Sequence, residues 1–314
     1  MAGDRREQSG VAPIATAQHC EPMHAAPRTV FSCPVCHAAF LDVDGAAGAA
    51  ADKAPWRCLN KHSFDVARDG SVHLLPAGHG HAGIVGDTAV MLSARRRFFD
   101  AGHYQPLSDA IAAAVVARPT TPSCTLVDLG CGEGSHLSVV LDALQARHVD
   151  GIAIGIDLAK DAVKLAAKNE RRARFITGDT RTRIALTDGV VDGAIVAFAP
   201  RKASELARVV RPGGSVTFAL PLPGHLAELV HTWGGIGLAD DKRDRLVNDL
   251  NADFAVTSEV LVEHTMVLDG NATADLLLMT PHARHLGDDT IARARATSSF
   301  TTAMRALILT MTRR

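Results

Sequence analysis

Leu126-Val-Asp128-Leu-Gly130-Cys-Gly132-Glu-Gly134 is a short apolar run that ends in an acid and then alternates glycine with other residues just before Ser135-His136. The apolar part reads as a buried parallel strand. The glycines read as a tight turn that opens a helix and lets backbone approach a ligand at the carboxyl edge of a sheet. A dinucleotide site wants GxGxxG, with a pyrophosphate seated on the helix N-terminus. Here Glu133 stands where those phosphates would lie and repels them.

Outward from this turn the chain alternates strand-like and helical runs, the signature of a parallel α/β sheet. Strands are expected at Thr125–Asp128, Gly151–Asp157, Arg174–Gly178, Gly193–Ala199 and Ser215–Leu220, with two more at Phe254–His264 and Thr302–Thr312. Helices are expected at His136–Ala146, Asp161–Asn169 and Ala203–Val210, the last stopped by Arg211-Pro-Gly-Gly214. Helical insertions fall at about 225–250 and 272–296, and a long helical pattern begins near Asp87. Asp128 ends the first strand, Asp157 the second, and Asp179 follows the third. Carboxylates in that series suit a ligand with a cationic amino-acid arm, a ribose diol for Asp157 and an adenine amino group for Asp179. That ligand is S-adenosylmethionine. Helix capping and loop solvation are the plainer reading of either Asp157 or Asp179 taken singly. Cys131 reads as a small buried residue rather than a nucleophile, since no base is spaced to activate it.

Upstream, Cys33-Pro-Val-Cys36 and Cys58-Leu-Asn-Lys-His62 form a Cys₃His set on a segment too short to build a large core unaided. Thiolates and imidazole are the ligands zinc prefers, and four of them close a structural site. Cys20 and His37 are the competing ligand assignments. The organisation expected is therefore a disordered extension over 1–29, a zinc-binding module over 30–76, a linker and helical segment over 77–122, and a catalytic domain over 123–314. The linker begins Ala77-Gly-His-Gly-His-Ala-Gly83, and the Ala- and Gly-rich loop 44–55 varies in length within the module.

The chain has 314 residues, 47% hydrophobic and 21% charged, a globular composition. No run approaches the ~18 apolar residues a membrane span needs. Residues 1–20 carry charge and no apolar core, so no secretory signal is read and a cytoplasmic location is expected. The six cysteines are too few for a disulfide scaffold. A formal charge of −1 gives no global attraction to a polyanion. Nucleic acid would have to meet a local patch such as Arg95-Arg96-Arg97, Arg171-Arg172 with Arg174, or Arg181 with Arg183.

Taken together, these motifs resemble the RlmA family of 23S ribosomal RNA guanine-N1 methyltransferases over about residues 31–312. The likeness rests on the Cys₃His set with Phe64-Asp65, Gly70-x-Val72-x-Leu-Leu-Pro76, Ala94-Arg-Arg96 and Asp100-Ala-Gly-His-Tyr-x-Pro106. It continues through Asp128-x-Gly-Cys-Gly-Glu-Gly134, Phe198-Ala-Pro200, Leu206-Ala-Arg-Val-Val-Arg-Pro-Gly-Gly214, Pro223-Gly-His-Leu226 and Met279-Thr-Pro281. It implies a class I methyltransferase fold, a doubly wound and mainly parallel seven-stranded sheet, behind a small zinc module. It implies Zn²⁺ on Cys33, Cys36, Cys58 and His62, and cofactor contacts from Tyr104, Gly132, Glu133 and His225, beside Asp128, Gly130, Gly134, Asp157 and Asp179. The chain departs from the family at His282-Ala-Arg284, where an aromatic is usual, and at Ala159, where Ser is common.

The implied reaction methylates N1 of a guanine in a hairpin loop of 23S rRNA, by a homodimer. N1 lies on the Watson–Crick edge, so the base must come from a loop or be flipped out. Arg95, Arg96 and Arg97 are then expected to hold phosphates, and Phe198 to stack the target base. The residues single out no general base. The alternatives are a methyltransferase with a small-molecule acceptor, and a non-enzymatic RNA-binding protein that keeps the fold.

Overall fold

The computed structural model describes residues 29–41, 43, 54–75, 87–117, 123–234, 241–280 and 286–314. Most of the expected N-terminal extension, most of the loop 44–55, the linker 77–83 and the departure at His282 and Arg284 lie outside the described residues.

The first unit is a three-stranded antiparallel ribbon of β1 (Phe40–Leu41), β2 (Trp56–Cys58) and β3 (Ser63–Phe64). Strands of two or three residues bury little. Their packing is an aromatic stack in which Trp56 sits 4.6 Å from Phe31 and 5.5 Å from Phe40, with Phe64 5.7 Å beyond Phe40. The main sheet has eight strands in the order β10-β11-β9-β8-β5-β6-β7-β4. Seven are those expected from the sequence: β5 (Ser123–Leu129), β6 (Asp150–Asp157), β7 (Ala173–Thr177), β8 (Val191–Ala197), β9 (Val210–Pro221), β10 (Phe254–Leu268) and β11 (Phe300–Arg313). β11 runs antiparallel between β9 and β10, whereas β4 through β9 pair in parallel.

The eighth strand corrects the seven-stranded expectation. β4 (Val72–His73) comes from the end of the zinc module and pairs in parallel with Ile176–Thr177 of β7. A bridge from Phe31 to Leu186 and the bond from Ser32 N–H to Ala185 C=O fasten the module's start as well. A two-residue strand carries no periodicity, so nothing in the sequence separated β4 from its loop. The Arg211-Pro-Gly-Gly214 stop also moves inside an element: α5 (Ala203–Val209) ends and β9 begins without a gap, Gly213 taking φ +76°.

Two cores flank the sheet. One joins the ribbon, α5 and α7 (Lys242–Leu250). The other gathers α1 (Ala89–Asp100), α2 (Gln105–Val116), α3 (Ser135–Gln145), α4 (Lys160–Asn169), α6 (Ala227–Trp233) and α8 (Gly270–Met279). α9 (Asp288–Arg295) packs beside α8. The long pattern from Asp87 is two helices, broken by Gly102 in the left-handed region at φ +77°. β5 lies between β6 and β8, where strand order reverses, so its carboxyl end faces the crevice in which open α/β sheets bind ligands.

Candidate active site and metal centre

The elbow after β5 has the backbone its glycines require. Gly130, Gly132 and Gly134 have φ of +82°, +55° and +86°, and a Cβ on Gly130 would lie 2.3 Å from that of Ala199. Asp157, at the end of β6, fastens the turn: one carboxylate oxygen accepts from Gly132 N–H at 2.9 Å and the other from Ala159 N–H at 2.8 Å. Each oxygen keeps a further lone pair.

Around the elbow stands a ring of buried acid. Asp128 is 2% exposed and Glu133 7%. Oδ1 of Asp128 and Oε2 of Glu133 have no hydrogen-bond partner among the described residues. Burial, then the charges of Asp157 and Glu133, push the Asp128 carboxyl up to about 8. Burial raises Glu133 and Asp157 too, against the opposing pull of Arg95 on Glu133 and of the Ala159 and Gly132 amides on Asp157. Unmet buried acceptors are costly. Here they create a receptor for a cationic ligand, and the glycine cradle leaves room for backbone approach. The ammonium and sulfonium of S-adenosylmethionine fit that donor-seeking set.

Tyr104 caps the start of α2 and is buried edge-on against Phe98 and Phe99, at 5.2 and 5.6 Å. Burial raises its phenol above the usual range. Below it, His136 Nδ1 lies 2.9 Å from Ser108 Oγ, tying α3 to α2, and burial followed by the field of Arg95 lowers this imidazole to about 4. The sequence reading passed over His136 and Ser108, since nothing in their spacing shows that the two helices meet.

Asp179 is committed differently from the expectation of a free acceptor. Its Oδ1 receives the N–H and Nε of Arg181 and its Oδ2 receives Nη2, all within 2.9 Å. His225 is held by β11, its Nδ1 2.8 Å from the Arg305 carbonyl, with its ring 5.6 Å from Phe198. Phe198 is 41% exposed and left-handed at φ +53°, which turns the ring out at the carboxyl edge of β8. A bulky residue held in that region marks stored strain of the kind found at functional sites. Three residues on, Arg201 lies over the Phe218 ring at 5.7 Å, half-buried, and makes no ion pair among the described residues. The sequence reading missed it because a single arginine after Pro200 carries no pattern.

Arg95, Arg96 and Arg97 do not form one cationic face. Consecutive residues on a helix point about 100° apart. Arg97 turns onto buried Asp275 of α8 through two bonds, and Arg95 turns onto Asp87 at 2.5 Å. Arg96 lies 3.4 Å from Asp100 with its side chain 42% exposed, and Arg97, although bonded to Asp275, keeps its side chain 55% exposed. Arg96 borders a groove with Phe99, Gln105 and Ser135.

In the ribbon, the one ligand atom from each of Cys33, Cys36, Cys58 and His62 lies within 4.8 Å of the other three. Cys33 Sγ–His62 Nδ1 and Cys36 Sγ–Cys58 Sγ are both 3.7 Å, and Cys58 Sγ–His62 Nδ1 is 3.4 Å. Tetrahedral zinc with its usual bond lengths needs ligand separations of about 3.4–3.8 Å. The set fits zinc; His37 is not part of it, and Cys20 lies outside the described residues. The Cys36 thiol is lowered to about 6, chiefly by the Ala38 amide, whereas burial lifts Cys33 to about 11. Lys61 and His37 take left-handed φ at the two knuckles.

Comparison with known proteins follows the same division. Residues 31–82 match the family description "RlmA, N-terminal", and residues 126–214 match "Methyltransferase domain". The 23S rRNA (guanine(748)-N(1))-methyltransferase of Streptomyces fradiae is 36% identical over 76% of this chain and 82% of its own length. A candidate 23S rRNA (guanine-N(1)-)-methyltransferase of Micromonospora griseorubida is 35% identical over 81% of this chain and 86% of its own. Among solved structures, the YcgJ protein of Bacillus subtilis aligns over 66% of this chain and 98% of its own, with 14% identity and a TM-score of 0.46.

Proposed function

From the membership of this chain in the 23S rRNA (guanine-N1)-methyltransferase family, we propose that it transfers a methyl group from S-adenosylmethionine to N1 of a guanine in a hairpin loop of 23S rRNA. The observation that carries the reading is the pair of buried carboxylate oxygens, on Asp128 and Glu133, that lack a hydrogen-bond partner among the described residues, at a glycine elbow on the switch point of the sheet.

When bound, the cofactor supplies a methyl group already activated on a positively charged sulfur whose departure leaves a neutral thioether. The protein's task is therefore alignment. Asp128 and Glu133 would take the ammonium, and Asp157 would offer its free lone pairs to the ribose diol. Asp179, in the turn after β7, would meet the adenine amino group. Gly130, Gly132 and Gly134 admit the ligand to the backbone, and Tyr104 closes the methionine end from α2. His225 stands with Phe198 at the mouth, where the cofactor and the acceptor base would meet.

On the acceptor side, Phe198 would present an aromatic face to a splayed guanine, and Arg201, three residues on, would supply a guanidinium that makes no ion pair among the described residues. Arg96 and the ribbon would track phosphates. Zinc on Cys33, Cys36, Cys58 and His62 would hold the ribbon's shape and take no part in the chemistry, because all four positions are filled by protein. The active form would be a cytoplasmic homodimer, each ribbon helping to bracket the hairpin. Among the described residues no helix is long and apolar enough to cross a membrane.

Purified chain, labelled S-adenosylmethionine and 23S rRNA test the reading, with primer extension to locate the product, since a methyl on N1 blocks base pairing and stops reverse transcription. A single new stop at a hairpin guanine is expected. Label entering small-molecule acceptors but no RNA would overturn it.

A further inference from the structure

Arg95 was placed on the RNA side by its neighbours in sequence, yet it faces the elbow. It is 23% exposed, its Nη1 lies 2.5 Å from Asp87 and 3.8 Å from Glu133 Oε2, and its Nη2 donates to the Met279 carbonyl at 3.1 Å. A Cβ added to Gly132 would come within 3.3 Å of Nη1. Its charge is felt at Tyr104, Glu133, His136 and Asp157 together. Among the described residues no other lysine or arginine makes an ion pair with Asp128, Glu133 or Asp157.

The amino-acid arm of the proposed cofactor is a zwitterion. Its ammonium has acceptors in Asp128 and Glu133, but its carboxylate would meet a ring of acids unless a cation receives it. A guanidinium carries five N–H donors, and Arg95 spends two of them on Asp87 and Met279. The Asp87 pair is partly solvated, and such pairs contribute little, so exchanging it costs little. A carboxylate taken by the fork of an arginine is held bidentately and in a fixed orientation.

We propose that Arg95 is a cofactor-binding residue, which receives the α-carboxylate of S-adenosylmethionine in exchange for Asp87. The inference rests on the methyltransferase reading above and adds to it the group that orients the methionine arm. α1 is thereby fastened at both ends of its arginine run, by Arg97 to α8 and by Arg95 to the cofactor.

The test is calorimetric binding of two probes, S-adenosylmethionine and its decarboxylated analogue, which keeps the sulfonium, ammonium and adenosine but lacks the carboxylate. Arg95→Met should weaken binding of the first about 30-fold and of the second by less than about 3-fold, the scale of one charged hydrogen-bonded pair. Arg95→Lys should recover part of the loss. Asp87→Asn should leave S-adenosylmethionine affinity unchanged or up to about 3-fold tighter, since it removes a competitor. Affinity for an RNA hairpin, measured in parallel, should not move in Arg95→Met. Equal losses for both probes, a loss confined to RNA, or weaker binding in Asp87→Asn would overturn the assignment. Wild-type chain that binds neither probe would overturn the methyltransferase reading itself, and this inference with it.

Discussion

The zinc ribbon and the glycine elbow each draw several anion-forming groups together in the interior, and they tolerate it in different ways. In the ribbon, four ligand atoms within 4.8 Å of one another are held by knuckle turns on strands of two or three residues, with an aromatic stack behind them that runs into the core shared with the sheet. A tetrahedral cation is what makes such a gathering stable, so metal binding and folding are one event. In the elbow, Asp128, Glu133 and Asp157 are imposed by a sheet whose apolar core is large enough to hold them. That core bears the strain as displaced ionisation, Asp128 being pushed up to about 8. The ribbon depends on its cation for shape. The elbow keeps its shape and depends on its cation for charge.

The largest effect should come from breaking the ribbon's side of this contrast. Cys58→Ser, or strong chelation, should abolish zinc retention and unfold residues 31–75, structural zinc contributing on the order of 10 kcal/mol. Hydrogen exchange should then show protection lost over β1–β4 and kept in β5 and β8. Uniform loss across β5 and β8 would mean that the two units share one folding event.

Next, Asp128→Asn should leave the fold intact and weaken S-adenosylmethionine by roughly 100-fold, since it removes the charge but not the shape of a buried hydrogen-bonding group. Calorimetry and a thermal melt on the same sample separate the two effects.

The third expectation concerns pH. A carboxyl raised from its ordinary value to about 8 binds its proton more tightly in the folded chain, so this group lowers stability as pH rises from about 4 towards 8. A cationic ligand favours the ionised form, so cofactor affinity should climb by up to about tenfold per pH unit below 8 and level off above it. Uptake of the ligand should release a proton near pH 7, measurable in buffers of different ionisation enthalpy. Asp128→Asn should flatten the profile, and a profile unchanged by that variant would assign the titration to another group.

Smaller changes belong to the acceptor side. Phe198→Ala should reduce kcat/KM for RNA about tenfold without altering cofactor affinity, as expected for one stacked base. Arg96→Ala should lower RNA affinity modestly and reduce the salt slope by about one.

How legible each region was follows from how local its determinants are. Strand, elbow and helix could be placed from Leu126 to Ala146 because apolar run, glycine alternation and helical pattern act within a few residues. The Cys₃His ligands could be read from CxxC and CxxxH, since a knuckle is a local turn. Arg95 and Arg97 could not be told from Arg96 by sequence, because their carboxylates, Asp87 and Asp275, are brought by a helix start and by α8. Asp179 looked free because the Arg181 side chain that folds back on it could equally have pointed to solvent. β4 escaped for the same reason: its partner, β7, is about a hundred residues away.

Sequence alone determined which groups could carry chemistry: acids at strand ends, glycines where backbone must turn, and thiols and imidazole at metal spacing. Their identities and near-neighbour distances are written into the chain by covalent geometry. Tertiary structure decided which of those groups face one another. That choice sets the charge each one sees, because burial and a neighbour's field act through space, and it turned Arg95 from its arginine run onto Glu133 at the glycine elbow.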